Sequence, residues 1–390
     1  MTIHDTRGAK PERAQERSIL KTVHVPQSDD TANDLLQREL QDRELSHIFV
    51  FASEAQAFQR IANAAHCFGG GATVSGCRTA GQLSRFGYDD ENAILIGLPK
   101  AQFETTTVAI ASSDLEDGQT LIDRLVQARV KLQTACPDKP NGFAFLLVNG
   151  LSLREDILAA AVAPAIGAMP LFGGSSGDGL RFEATELAHD GEISENLALL
   201  TFVVTNCDTQ VFSLNHLTPI DRKMVVTSAD PEQRIVKEIN AVPAGREYAR
   251  MVNCDPDQLD EFTFSAFPVV VQLGDTYHVR SIQRVNEKGE LVFFAAIDEG
   301  MVLTIARAEN IAEHLDRELN NLTAQYSAAE ILGCDCILRR IEASQSQSMR
   351  AVSNVLMKNR VVGFSTYGEQ IGPLHVNHTM TGVVLAWPDE

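Results

Sequence analysis

From Met1 to about residue 40, charges and amides outnumber large apolar groups, and residues 1–44 read as a polar N-terminal tail. The pattern then changes. Ile48, Val50 and Phe51 mark a short strand. Ala55, Phe58, Ile61, Ala62 and Ala65 recur at helical spacing until Gly69, Gly70 and Gly71 stop the helix. Strand-like runs follow at 72–75, 93–98 and 105–110, and Leu121, Leu125, Ala128 and Leu132 signal a second helix. The run from Phe143 to Val148 is apolar throughout, as in a strand buried on both faces. Ser152 and Glu155 fit a capping box that opens a helix toward Gly167, with Pro164 predicting a kink or an early stop.

A strand at 197–204 closes the first half, and a boundary between about Asn206 and Ser228 divides a 45–215 domain from a 216–390 domain. Asp230 and Pro231 predict a helix start, with Ile235 and Ile239 facing inward. Further strands are expected at 268–273, 291–297, 301–305, 331–338, 361–365 and 379–386. One amphipathic helix runs from about Ala308 through Ile311, Leu315, Leu319, Leu322 and Tyr326. Close strand spacing favours antiparallel pairing. The expected class is therefore α+β, two units of largely antiparallel or mixed sheets with helices, rather than a doubly wound parallel fold.

Composition narrows the function. The 390 residues carry 52 acidic and 33 basic side chains, a net charge of −19, and no basic cluster offsets it, which argues against a nucleic-acid partner. No apolar run approaches the roughly 18 residues of a membrane span, so no membrane insertion is expected. The N-terminus lacks the apolar segment of a secretory signal. Seven scattered cysteines fit a reducing cytoplasm better than a disulfide framework.

Three glycine and hydroxyl segments occupy related places after apolar runs: 76–81, 174–178 and 363–369. Such segments either bind an anion or carboxylate through backbone N–H groups or mark strand crossings where backbone approaches backbone. None is a P-loop or a G-x-G-x-x-G turn, and Gly174-Ser175-Ser176-Gly177 lacks the register of a nucleophile elbow. No nucleophile–base pair is assembled, so an enzyme is not expected. Cys334 and Cys336 share a strand face but lack a second ligand pair, and read as small buried hydrophobes. In Leu374–Thr379, His375, Asn377 and Thr379 would share one strand face, with His378 on the other. That imidazole could ligate a metal or haem iron, grip a small ligand, or serve as a hydrogen-bonded structural histidine. His278 is a second candidate.

Together, the segments 173–182, 189–193, 333–340 and 363–379 resemble FIST proteins over about residues 45–390, in the order of a FIST N-terminal and a FIST C-terminal part. The two-part arrangement is similar to NosP-type nitric-oxide-sensing haem proteins. That resemblance implies a sensor in which haem b binds nitric oxide and controls a partner histidine kinase or cyclic-di-GMP enzyme in trans. A homodimer is among the assemblies it allows. It makes His375 the haem ligand, with Tyr367, Glu369, Asn377, His378 and Arg339 as pocket groups. His378 stands where such motifs more often carry glutamine, so a second imidazole competes. Phe262, Phe264, Phe267, Phe293 and Phe294 would supply apolar walls. The alternative implied is a haem-free FIST module that senses a small metabolite such as an amino acid.

Overall fold

Three stretches of the chain fold to one plan, each a β-α-β crossover flanked by antiparallel strands. The first contains β1 (Lys21–Pro26), α1 (Ala32–Leu40), β2 (Leu45–Ala52), α2 (Ala55–Phe68), β3 (Thr73–Arg78), an arm of β4 (Gln82–Ser84) and β5 (Gly87–Asp89), and β6 (Asn92–Pro99). The second repeats it with β7 (Phe103–Ile110), α3 (Gly118–Ala135), β8 (Asn141–Val148), α4 (Glu155–Ile166), β9 (Leu171–Ser175), the arm β10 (Leu187–His189) and β11 (Glu192–Ser194), and β12 (Ala198–Thr205). The third opens with β13 (Asp208–Leu214). An insert of strands β14 (Leu217–Asp230) to β21 (Val302–Ala308), with helices α5 (Ala244–Val252) and α6 (Glu261–Ala266), interrupts it. It resumes with α7 (Ile311–Thr323), β22 (Ala329–Cys336), α8 (Ile337–Gln345), α9 (Met349–Lys358), β23 (Val361–Thr366), the arm β24 (Glu369–Ile371) and β25 (Leu374–Val376), and β26 (Met380–Ala386). The computed structural model describes residues 18–28, 32–41, 43–194, 196–273 and 276–388.

The three sheets have the same strand order: β1-β6-β2-β3-β10-β11, β7-β12-β8-β9-β24-β25 and β13-β26-β22-β23-β4-β5. In each, the central pair is parallel, as a helical crossover requires, and its other neighbours are antiparallel. Each arm leaves its own repeat. β4 pairs with β23, β10 with β3 and β24 with β9, so the repeats exchange arms in a closed cycle.

Phe49, Phe51, Phe145, Phe172, Phe364, Cys77 and Cys334 belong to one central core shared by the three sheets. Phe51 stacks on Phe364 at 4.4 Å and Phe49 meets Phe145 edge-on at 5.0 Å. Helices cover the outer faces through separate clusters, so central strands are buried on both sides, and Phe143–Val148 in β8 reads as an unbroken apolar run. The insert builds its own core from residues such as Met224, Val236, Tyr248, Phe293 and Leu303.

The α+β class with mixed sheets is as expected, but several local expectations are corrected. Part of the stretch read as a tail is folded: β1 pairs with β6, and the backbone N–H groups of Ile19 and Leu20 donate to Glu330 at 3.1 and 2.7 Å. Residues 1–17 lie outside the described residues. The helix expected after Asp230 is strand β15 (Ile235–Ile239), bounded by turns at Arg234 and Asn240, both at positive φ, with β-branched Ile235, Val236 and Ile239 suited to a sheet. Helix α4 starts at Glu155 with Arg154 as N-cap, because Leu153 at positive φ separates Ser152 from the first turn. Helices α8 and α9 were not anticipated. The expected 215/216 division falls between β13, which pairs along its length with β26, and the insert.

Gly76, Gly173 and Gly363 occupy the second strand of the three parallel pairs. A Cβ at each would overlap the backbone carbonyl oxygen of Val50, Leu146 or Gly333 on the neighbouring strand. Backbone against backbone cannot yield cheaply, so alanine at Gly76 or Gly173 should lower stability by on the order of 2–4 kcal/mol. Gly118→Ala, where nothing lies within 4 Å, should leave the urea midpoint unchanged or slightly raised. Equal midpoints for all three variants would refute this close-packed role.

Candidate functional site

A cavity of about 250 Å³ lies at the seam between the three-sheet core and the insert. The core contributes Leu180 and Phe182 from the loop after β9, Leu338 and Ile341 from α8, and His378 from the turn before β26. The insert contributes Phe264, Ser281, Ile282, Gln283 and Phe294. Its walls are mostly apolar, with three polar side chains, the usual make-up of a small-molecule site.

The glycine-rich segment 173–179 builds this wall. Asp178 accepts hydrogen bonds from the backbone N–H groups of Phe182, Glu183 and Ala184 at 2.8–3.1 Å, folding the loop around one carboxylate. Burial opposes its ionisation, but the Tyr367 hydroxyl and these N–H groups outweigh it and hold its carboxyl below the ordinary value. Tyr367 also receives the N–H of Asp178 at 3.1 Å and stacks on Phe182 at 4.3 Å, locking the aromatic wall in place. The insert is pinned opposite. Arg234 pairs with buried Glu155 at 2.5 Å and donates to the Phe294 carbonyl, while Ala296 N–H donates to Asp156 at 3.3 Å.

Behind the cavity, Glu342 accepts from His378 Nε2 at 2.6 Å and from His216 Nε2 at 2.8 Å. Burial works against the Glu342 carboxylate, but the two imidazoles prevail and hold it ionised far below the ordinary range. His216, His378 and Glu342 bring three ligand-type atoms within 4.8 Å of one another, the donor set of a metal site. Arg339 decides against that use. Its guanidinium, a donor only, bonds His216 Nδ1 at 3.0 Å, so the neutral His216 ring keeps its proton on Nε2 for Glu342. Burial, foremost, pushes the His216 pKa down to about 4, consistent with a neutral ring. Arg339 in turn pairs with Asp335 at 2.7 Å, and Asp335 accepts from the Tyr88 hydroxyl at 2.5 Å.

His375, the residue the resemblance makes a haem ligand, does not line the cavity. It is 2% exposed, its Nδ1 faces Gln370 Nε2 at 3.3 Å, and the backbone of Gly368 packs so close that a Cβ there would overlap its ring. Burial first, aided by Arg234 and Arg280 against Glu155 and Asp156, lowers its pKa. Arg280 also donates to the His375 carbonyl at 3.3 Å. Both ends of the Asn377 amide, Gln370 Oε1 and Arg280 Nε are buried without a partner among the described residues, a polar setting unlike the apolar slot a haem needs. The groups at His375 do not fit haem. Of the phenylalanines, Phe264 and Phe294 reach the cavity, Phe293 and Phe267 pack in the insert core, and Phe262 is exposed. His278 lies on the β18 (Thr276–Arg280) strand and is not in the cavity lining.

Glu369 is fully buried, bonded to the Thr366 hydroxyl and to Thr379 Oγ1 at 2.7 Å. Burial pushes its pKa up to about 8 despite those bonds. Its native form therefore keeps a proton that the unfolded chain loses near 4.5, and stability drains away as pH rises from that value through 8. Glu369→Gln, which keeps the shape without the charge, should raise the urea midpoint at pH 8 and make little difference at pH 5. The gap should widen by up to about 1.4 kcal/mol per pH unit between these limits. A difference independent of pH would contradict the buried neutral acid.

Residues 46–242 match the FIST N domain and residues 244–372 the FIST C domain, and the first match alone spans half the chain. The chain belongs to the FIST family, whose domains are sensory modules of signal transduction rather than catalysts. The comparison with curated proteins returned no match. Leu180 and Phe182 lie in the FIST N match, and Phe264, Ser281, Ile282, Gln283, Phe294, Leu338 and Ile341 in the FIST C match. The cavity thus joins the two, while His375, Asn377 and His378 fall beyond residue 372. Among the described residues, no helix is long and apolar enough to cross a membrane.

Proposed function

We propose that this protein is a FIST sensory module whose signal is a small metabolite held between the three-sheet core and the insert. The observation that carries this reading is the cavity itself, about 250 Å³, closed by side chains from both bodies. A cavity of roughly 150 Å³ accommodates benzene, so this one suits a single ring or short branched chain bearing a polar group. A haem macrocycle exceeds it. The nitric-oxide reading through haem b rests on resemblance alone, and the setting of His375 speaks against it.

A ligand touching both walls favours the seated insert over a displaced one by its difference in affinity for the two. The insert joins the core through two neighbouring connections, and the Glu309 N–H of one donates to the His216 carbonyl of the other at 2.8 Å. Seating of the insert is then the output, read by a partner such as a histidine kinase or a cyclic-di-GMP enzyme.

The test is thermal unfolding of the full chain against a library of small metabolites, for the wild type and for Ile341→Trp, which fills the cavity. At a concentration of 100 Kd a ligand adds about 2.7 kcal/mol, enough to raise Tm by several degrees, and the tryptophan variant should lose the response. Identical responses in both proteins would overturn the site. A saturable one-to-one haem complex whose Soret band shifts with nitric oxide would overturn the metabolite reading in favour of the haem sensor.

A further inference from the structure

The polar side chains around the cavity also specify what kind of molecule it takes. We infer that the ligand is an uncharged molecule with an apolar body and one hydroxyl, a conclusion that rests on the metabolite reading above. Among the described residues no Lys, Arg, Asp or Glu lines the cavity, so a charged ligand would shed its water against Leu180, Phe182, Phe294, Leu338 and Ile341 without a direct counter-charge from them. Glu342, behind the wall, already receives two imidazole N–H groups.

Beside the half-buried Gln283, two buried groups are left to receive a polar ligand. Ser281 is 6% exposed and its hydroxyl has no partner among the described residues, an expense that a bound group would offset. His378 spends Nε2 on the ionised, acceptor-only Glu342, so that nitrogen carries the proton. The other ring nitrogen, Nδ1, has no hydrogen-bond partner among the described residues. A hydroxyl, donor and acceptor at once, can therefore pair with both Nδ1 of His378 and the Ser281 hydroxyl. A hydrocarbon leaves both groups unsatisfied. The chain from His378 through Glu342 to His216 ends at the first connection into the insert, so the residue that reads the ligand also touches the tether.

Benzyl alcohol, toluene, benzoate, benzylamine and phenylalanine form a probe set of similar size, to be titrated into the full chain by calorimetry and ligand-observed NMR. Benzyl alcohol should bind about tenfold more tightly than each of the others, equivalent to about 1.4 kcal/mol. Ser281→Ala removes an unpaired hydroxyl without disturbing a bond, and should cut the preference for benzyl alcohol over toluene severalfold while leaving toluene unchanged. His378→Gln retains an N–H for Glu342 and a carbonyl acceptor, and should preserve part of the preference. Equal or tighter binding of benzoate, benzylamine or phenylalanine would overturn the uncharged class, and equal binding of toluene would overturn the hydroxyl. Both outcomes leave the cavity standing as a site. No binding by any probe, or binding that Ile341→Trp does not reduce, would instead remove the cavity reading itself.

Discussion

Everything in this molecule depends on a small set of backbone hydrogen bonds where the three crossing segments meet. Ala80 N–H donates to the Ser365 carbonyl at 2.9 Å, and Ser365 N–H returns to Gly81 at 2.8 Å. Ser175 N–H donates to Gly368 at 2.8 Å, Tyr367 N–H to Ser175 at 3.2 Å, and Gly177 N–H to Arg78 at 3.0 Å. These contacts tie each repeat to the others at the point where its arm departs. A repeat alone would leave both an unpaired arm and an open sheet edge, exposing backbone groups that must otherwise be satisfied. The cycle of exchanged arms closes those edges, and its cost is long-range order: no sheet is complete until all three repeats are present.

That constraint also positions the site. Asp178 and Tyr367 follow immediately after crossing residues of two different repeats, so the loop they organise is placed by the crossing rather than by its own flexible sequence. Phe182 is then stacked against Tyr367, giving the cavity one rigid aromatic wall. The opposite wall belongs to the insert, held by the buried Arg234–Glu155 pair. A buried ion pair offers little net stability, since desolvation offsets attraction, but losing one partner is severe. It is well suited to fixing where the insert sits without making that position unconditional.

Much of the fold was legible where one element alone determines its pattern. The runs 143–148 and 331–334 are apolar because helices cover one face and the shared core the other, and the alternation that marks a half-exposed strand is missing for the same reason. Legibility failed where partners are distant in sequence. The 18–26 segment is too polar to predict burial, yet Glu330, more than 300 residues away, caps it and β6 supplies its ladder. The glycine segments were recognised as three related features, and their role as strand crossings was one of the two readings open. Choosing between those readings required seeing that each arm pairs with a different repeat. For the site, Arg339, Tyr367, Glu369, His375, Asn377 and His378 were all named, but only His378 reaches the cavity. Ser281 and Ile341 carried no signal, because an unpaired hydroxyl and an apolar helix face become informative only once the surfaces opposite them are known.

The division between a locked core and a tethered cap suits the proposed sensing of a small ligand. A core held by exchanged strands responds little to one bound molecule, because any rearrangement would break ladders in two sheets at once. The insert is different: it has its own core, so it can shift as a body while keeping its internal packing. What must change is confined to the seam, the Arg234–Glu155 pair, the Asp156 contact and the side chains lining the cavity. Binding worth a few kcal/mol is commensurate with contacts of that kind and far below what unlocking the core would demand. In the proposed mechanism, the placement of the cavity at this seam, rather than within any one repeat, is therefore the feature that would let the fold convert occupancy into movement.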